Sequence, residues 1–377
     1  MRFILICALA LSATFASAED APRARDLGIP FPGTPGPLNA ITDVAGVTVG
    51  HDTIIRDLRG GKAVRTGVTA ILPRGRTSFS TPAFAGYFSL NGNGEMTGTH
   101  WVEESGYLEG PVMITNTHSV GAVHEGVIKW RVAQAGPDTT GYWWSLPVVA
   151  ETWDGFLSDI NGFHVTAKNA GRALDAATDG PVTEGNVGGG TGMICHEFKC
   201  GIGTSSRVTG DYTVGVLVQA NYGMRDPLRI AGVPVGQHLR DDRIYSEEEP
   251  ETEETGSIII VIATDAPLLP HQLKRLARRA TLGLGRMGSY AGNGSGDIFI
   301  AFSAAQMNDS DTAYLDDPLA NHLLDPIFSA VADATEESIV NAMIAARDMT
   351  GDQGHYAKAV DHLALRAVLK EYGRLEE

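Results

Sequence analysis

Residues 247–264 read E-E-E-P-E-T-E-E-T-G-S-I-I-I-V-I-A-T, and the fold turns on the switch inside this stretch. The acidic half carries too much charge to sit in a core and reads as a solvated loop. From Ser257 onward the β-branched density is that of a buried strand. Downstream, 271–288 reads as a helix, 297–303 as a strand, and 320–333, 335–348 and 355–371 as three further helices. Upstream, Tyr212 to Ala220 alternates as a strand, Gly185 to Gly192 is a glycine-rich loop, and 166–177 is helical. Leu146 to Thr152 is an apolar strand. Pro111 to Asn116 is another, leading into a helix over Ser119 to Ala133 whose Val120, Val123, Val127 and Trp130 share one face. Short strands at 41–51 and 66–73 come before these. A proline-rich lead, Pro22 to Pro37, is expected to run extended over the surface. There is no internal repeat. Strands and helices in comparable amounts, with strand pairs joined by turns, predict an α+β layered domain.

Composition narrows the function classes. The chain has 377 residues, 43% hydrophobic and 20% charged, with a formal charge of -16. That describes a globular protein of one large or two medium domains. The 45 glycines point to many tight turns. The acidic balance argues against nucleic acid or an anionic membrane surface as partner. Residues 1–18 have the layout of a secretory signal peptide: Met1-Arg2, an apolar run from Phe3 to Phe15, then Ala16-Ser17-Ala18 as the cleavage site. The expected mature chain starts at Glu19 and is periplasmic or secreted. No later run is long enough to span a bilayer. Cys7 would leave with the signal. Cys195 and Cys200 do not match a zinc signature. Cys195 reads as a small buried thiol, with a bridge to Cys200 as the alternative in an oxidising compartment.

Several familiar signals are absent or misplaced. Gly283 to Gly288 matches G-x-G-x-x-G, but a helical pattern precedes it where a dinucleotide site needs a strand. It reads as close helix packing. There is no Walker A motif, no H-E-x-x-H and no G-x-S-x-G, and the eleven histidines are scattered. Neither a metal nor an organic cofactor is expected.

What remains is Thr255-Gly256-Ser257. A serine hydroxyl is a weak nucleophile that needs a base within hydrogen-bond reach. A cut before Ser257 would free an α-amine of pKa about 7.7–8 on the same residue as the hydroxyl. Gly256 suits such a step, because glycine tolerates the unusual dihedrals of a chain bent back on its own carbonyl. Taken alone, a plain loop entering a strand is the simpler reading.

A resemblance alters that balance. The segment from Glu254 through S-I-I-I-V-I-A-T, together with A-G-N-G-S-G-D-I-F-I-A-F-S at 291–303, resembles the L-aminopeptidase/D-amidase-esterases and β-peptidyl aminopeptidases. Also similar are R-A-R-D-L-G-I-P-F-P-G-T-P-G-P-L-N-A-I-T-D-V at 23–44 and S-L-P-V-V-A-E-T-W-D-G at 145–155. G-N-V-G-G-G-T-G-M at 185–193 and V-G-V-L-V-Q-A-N-Y-G at 214–223 complete the set, in order over nearly the whole mature chain. The resemblance implies a four-layer α/β/β/α sandwich that looks like an N-terminal-nucleophile hydrolase but is connected differently. It implies self-cleavage at Gly256-Ser257 into an α chain, 19–256, and a β chain, 257–377, which stay together as one catalytic domain.

By position, Ser257 is then the nucleophile, Ser295 and Asp297 assist it, and Asn221 donates to the oxyanion. Glu151 holds the free amino group of a small peptide or amino-acid amide. Trp153 lies beside it at the substrate, where relatives can carry tyrosine. β-Peptide-cleaving relatives carry glutamate where Asp297 stands, so the relay here is one methylene shorter. A tetramer of αβ units is implied. The alternatives are a self-processing acyltransferase of ornithine-acetyltransferase type, which uses threonine at the cut, and a non-catalytic binding protein of the same fold.

Overall fold

A computed structural model describes residues 22–78, 80–134, 144–241, 243–244, 254–305 and 317–376. The expected signal peptide and acidic residues 247–253 lie outside the described residues. In chain order the main elements begin with strands β1 (Thr48–Asp57), β2 (Ala63–Arg76) and β3 (Ala83–Ser89) and helix α1 (Thr99–Ser105). Strands β4 (Tyr107–Leu108) and β5 (Val112–Asn116), helix α2 (Val120–Gln134), strand β6 (Val148–Thr152) and helix α3 (Ala167–Asp175) follow. Next come β7 (Ile194–Cys195), β8 (Phe198–Lys199), β9 (Ile202–Thr209), β10 (Tyr212–Asn221) and the one-turn α4 (Val235–His238). The rest comprises β11 (Thr255–Thr264), α5 (Pro270–Arg286), β12 (Gly294–Ser303), α6 (Asp325–Ile344), β13 (Met349–Thr350), β14 (Tyr356–Ala357) and α7 (His362–Glu371).

Two sheets dominate. One has the order β1-β2-β5-β6 and the other β4-β3-β12-β11-β10-β9. The quoted run shows how they stack. Along β11, Ile258, Ile260 and Ile262 enter one core with α5 and α6, while Ile259, Val261 and Ala263 enter a second core shared with the facing sheet. A strand between two packed layers buries both faces, which is why the run is continuously apolar instead of alternating. The facing sheet does the same: Ile114 and Ala150 point to the inter-sheet core, Met113 and Val149 to a third core under α2 and α3. The layers are therefore α/β/β/α, as the resemblance implies.

Burial on both faces leaves the register of β11 poorly specified by hydrophobicity, since a one-residue slip would still bury apolar side chains. Polar contacts at its start supply the missing constraint. Glu254 accepts hydrogen bonds from Ser289 Oγ at 2.6 Å and Gly292 N at 3.1 Å, on the turn that leads into β12. That clasp sets Gly256 opposite Ser295 and Ser257 opposite Gly296 in the parallel β11–β12 pair.

Four expectations need correction. The two helices expected at 320–333 and 335–348 are one, α6. The polar run Thr335-Glu336-Glu337-Ser338, at the start of the second expected helix, is buried and bonded: Glu337 pairs with Arg25 at 2.8 Å and Arg207 at 2.6 Å, and Ser338 Oγ donates to Val216 O. The last helix starts at His362, not 355, where Asp361 caps it by accepting from Leu363 N and Ala364 N. The proline-rich lead does not skim the surface; Ala24, Ile29 and Phe31 join the core under α6, and Arg23 is tied to Glu184. Cys195 is not a free thiol but is disulfide-bonded to Cys200. His196 and Glu197 adopt left-handed backbone angles between β7 and β8, and this tight turn brings the cysteine Cα atoms to 5.4 Å.

Candidate active site

Ser257 lies near the start of β11, where the antiparallel pairing with β10 ends at Asn221 opposite Ser257. A cavity of about 470 Å³ opens there, lined by Ser257, Gly256, Asn221, Glu151, Trp153 and Glu197 among others. Five of the seven residues named from sequence for the site thus border one cavity. Ser295 and Asp297 are not on that lining; they lie on the adjoining strand β12, fully buried.

Gly256 is the strained point. Its φ is +113°, and a Cβ there would stand 2.1 Å from the Asn221 carbonyl oxygen. Only glycine fits such an approach. The Ser257 hydroxyl donates to the Gly256 carbonyl oxygen at 2.7 Å, so the potential nucleophile rests against the carbonyl group that precedes it.

Beside it, Ser295 Oγ donates to Asp297 Oδ1 at 2.7 Å. The Asp297 carboxyl is pushed up to about 6, chiefly by burial; the Ser295 bond pulls the other way and the charge of Glu254 adds to the rise. Asn221 Oδ1 accepts the Ile194 N–H at 2.9 Å, which orients the carboxamide and leaves its NH2 as the end available to a developing oxyanion.

Glu151 comes from the other sheet, on β6. It is buried, with Oε1 accepting from Glu95 N at 3.0 Å and Oε2 from the Thr117 hydroxyl. Burial raises its pKa, and the Thr117 and Glu95 bonds oppose that rise. An ammonium would supply the missing counter-charge. Trp153, two residues on, is half-exposed at the cavity rim.

Sequence reasoning missed Thr117, Tyr222 and Glu197. Glu197 is held between the bridged cysteines of C-H-E-F-K-C at 195–200, a signal hidden by reading Cys195 as a thiol. Tyr222 follows Asn221 and is fully buried, and burial drives its phenol well above its ordinary value. Among the described residues no group of three or more His, Cys, Asp or Glu is placed to hold a metal ion.

A serine with its hydroxyl on the preceding carbonyl, an adjacent Ser–Asp pair, an oriented carboxamide and a buried carboxylate define a serine-type amide hydrolase site. The chain belongs to peptidase family S58, whose model matches residues 39–357, and is an aminopeptidase. It is 52% identical to the β-peptidyl aminopeptidase BapA of Sphingosinicella microcystinivorans, over 100% of this chain and 98% of the relative. The enzyme of the same name from Sphingosinicella xenopeptidilytica is 45% identical over 97% and 95%. Among solved structures, the L-aminopeptidase D-Ala-esterase/amidase of Ochrobactrum anthropi matches with a TM-score of 0.87 and 52% identity, covering 94% of this chain and 99% of that one. That enzyme is described as a prototype for the serine aminopeptidases and a variant of the Ntn-hydrolase fold. A Burkholderia sp. β-aminopeptidase matches with a TM-score of 0.85 and 47% identity, over 93% and 99%.

Proposed function

We propose that the chain cuts itself between Gly256 and Ser257 and then removes N-terminal residues from short peptides, amides or esters, β- and D-amino acid derivatives included. The contact of Ser257 Oγ with the Gly256 carbonyl carries this reading. In the precursor the hydroxyl oxygen attacks the Gly256 carbonyl carbon, and the C–N bond breaks as its nitrogen takes a proton. Water then hydrolyses the resulting ester. The products are a Gly256 carboxylate and a free α-amine on Ser257, which serves as its own residue's base.

In the mature enzyme the same hydroxyl attacks the substrate carbonyl. Asn221 NH2 meets the oxyanion, where one donor is worth about 2.7–4 kcal/mol of barrier. Ser295, held by Asp297, relays the proton between the Ser257 amine and the leaving nitrogen. The leaving amine departs and water frees the acyl group from Ser257. Glu151 selects for a free N-terminus by pairing with its ammonium. Export by the signal peptide and assembly of four αβ units belong to the same proposal.

The test is turnover of two p-nitroanilides that differ only in N-acetylation. The free amine reacts and the acetylated compound reacts little or not at all. Equal rates would make the enzyme a general amidase and remove Glu151 from its role.

A further inference from the structure

The turn between Cys195 and Cys200 places a second carboxylate on the cavity wall, one that the steps above do not use. Glu197 is 6% exposed and lines the cavity together with Ile194, Asn221 and Ser257. Its Oε1 accepts the Arg225 N–H at 3.1 Å, while Oε2 is buried with no hydrogen-bond partner among the described residues. The Arg225 guanidinium donates to the carbonyls of His196, Glu197 and Leu239 and lies 3.3 Å over the Phe198 ring. A buried carboxylate oxygen without a donor is costly unless something completes it.

The turn holds this side chain in a conformation that the backbone disfavours. His196 and Glu197 sit at φ +48° and +59°, a region that residues with a Cβ seldom occupy. The disulfide, the His196 N–H bond to Tyr222 O at 2.7 Å and the Arg225 bonds fix it there. Glu151 stands on the four-stranded sheet, whereas Glu197 hangs on the hairpin that Ile194 ties to Asn221 of the six-stranded sheet. The two carboxylates therefore reach the cavity from different walls.

We propose that Glu197 is a specificity-determining residue that binds a basic side chain on the second residue of the substrate, across the scissile bond from the ammonium at Glu151. This rests on the reading that Ser257 and Glu151 receive the N-terminal residue. A cation there completes Oε2 and is drawn into a cavity already lined by two carboxylates.

The experiment compares three substrates with one N-terminal residue: a p-nitroanilide, a dipeptide amide with lysine second and one with glutamate second. Unsubstituted enzyme favours lysine over glutamate by about tenfold or more in kcat/KM, mostly through KM. Glu197→Gln brings the two dipeptides to within about threefold, and Glu197→Lys reverses their order. The p-nitroanilide stays within about threefold in both variants, which shows that folding and the nucleophile are intact. An unchanged dipeptide ranking, or a parallel loss on all three substrates, would overturn the proposal. No turnover of the p-nitroanilide by unsubstituted enzyme would instead strike the Ser257 reading and take the proposal with it.

Discussion

The carbonyl oxygen of Asn221 lies 2.1 Å from where a Cβ on Gly256 would stand, so Asn221 and the residue before Ser257 meet in a backbone contact open only to glycine. Gly256→Ala should shift the start of β11 and slow the cut at Ser257 by roughly tenfold or more, since misplacing a reacting group by about 1 Å costs ~100-fold. A time course of the uncut chain on a denaturing gel measures this. Cutting at the unsubstituted rate would mean that the contact does not position the bond.

Asp297 gives a pH prediction with a definite sign. Its folded value, about 6, lies above the ordinary 3.8. The stability it contributes is therefore fully present below the unfolded value and lost as pH rises through about 6. Asp297→Asn, which mimics the neutral form, should raise stability at pH 7–8 by roughly 2–3 kcal/mol and change little near pH 3. Activity should fall about 100-fold or more in that variant. Thermal melts at both pH values and a single-substrate assay check it. A lower melting temperature at pH 7 would contradict the burial argument. In the unsubstituted enzyme activity should drop on the acid side, as a property of the coupled Asp297, Ser295 and Ser257 amine and not of one group.

Glu151→Gln should lower kcat/KM for free-amine substrates about 30-fold or more, the counterpart of about 2–5 kcal/mol for removing one partner of a buried charge pair. Discrimination against N-acetylated substrates should weaken with it. Self-cleavage should be unaffected, because the precursor presents no free amine at Gly256. A block in processing would show Glu151 to be structural.

The bridge between Cys195 and Cys200 predicts no titratable thiol from these two residues in native mature protein and two after reduction in denaturant. Reduction should also loosen Ile194, whose N–H orients Asn221, and lower kcat more than it raises KM. Two reactive thiols without reductant would contradict the bridge.

Much of the layering was legible because it is written in periodicity. β11 was readable as an apolar run, β12 as a strand, α2 as a helix with one apolar face and α5 as a helix. Layer order came through the resemblance, and strand pairing was not legible, since an apolar run on both faces does not identify its neighbours. Failures fell where polar residues are buried against partners far along the chain. Glu337 meets Arg25 and Arg207 from inside α6, in a stretch that the sequence reads as the start of a separate helix. Glu197 was invisible because its place depends on a bridge that spacing left open. Ser295 and Asp297 were expected, through the resemblance, to assist Ser257; that they lie fully buried on the adjoining strand appears only when the strands are paired.

The central claim is self-cleavage at Ser257, and intact mass with N-terminal sequencing of purified protein tests it most directly. Two chains should appear in denaturant, 19–256 and 257–377, the second beginning S-I-I-I, and they should co-purify under native conditions. Ser257→Ala should give one uncut, inactive chain. Active enzyme recovered as a single uncut chain would contradict the account.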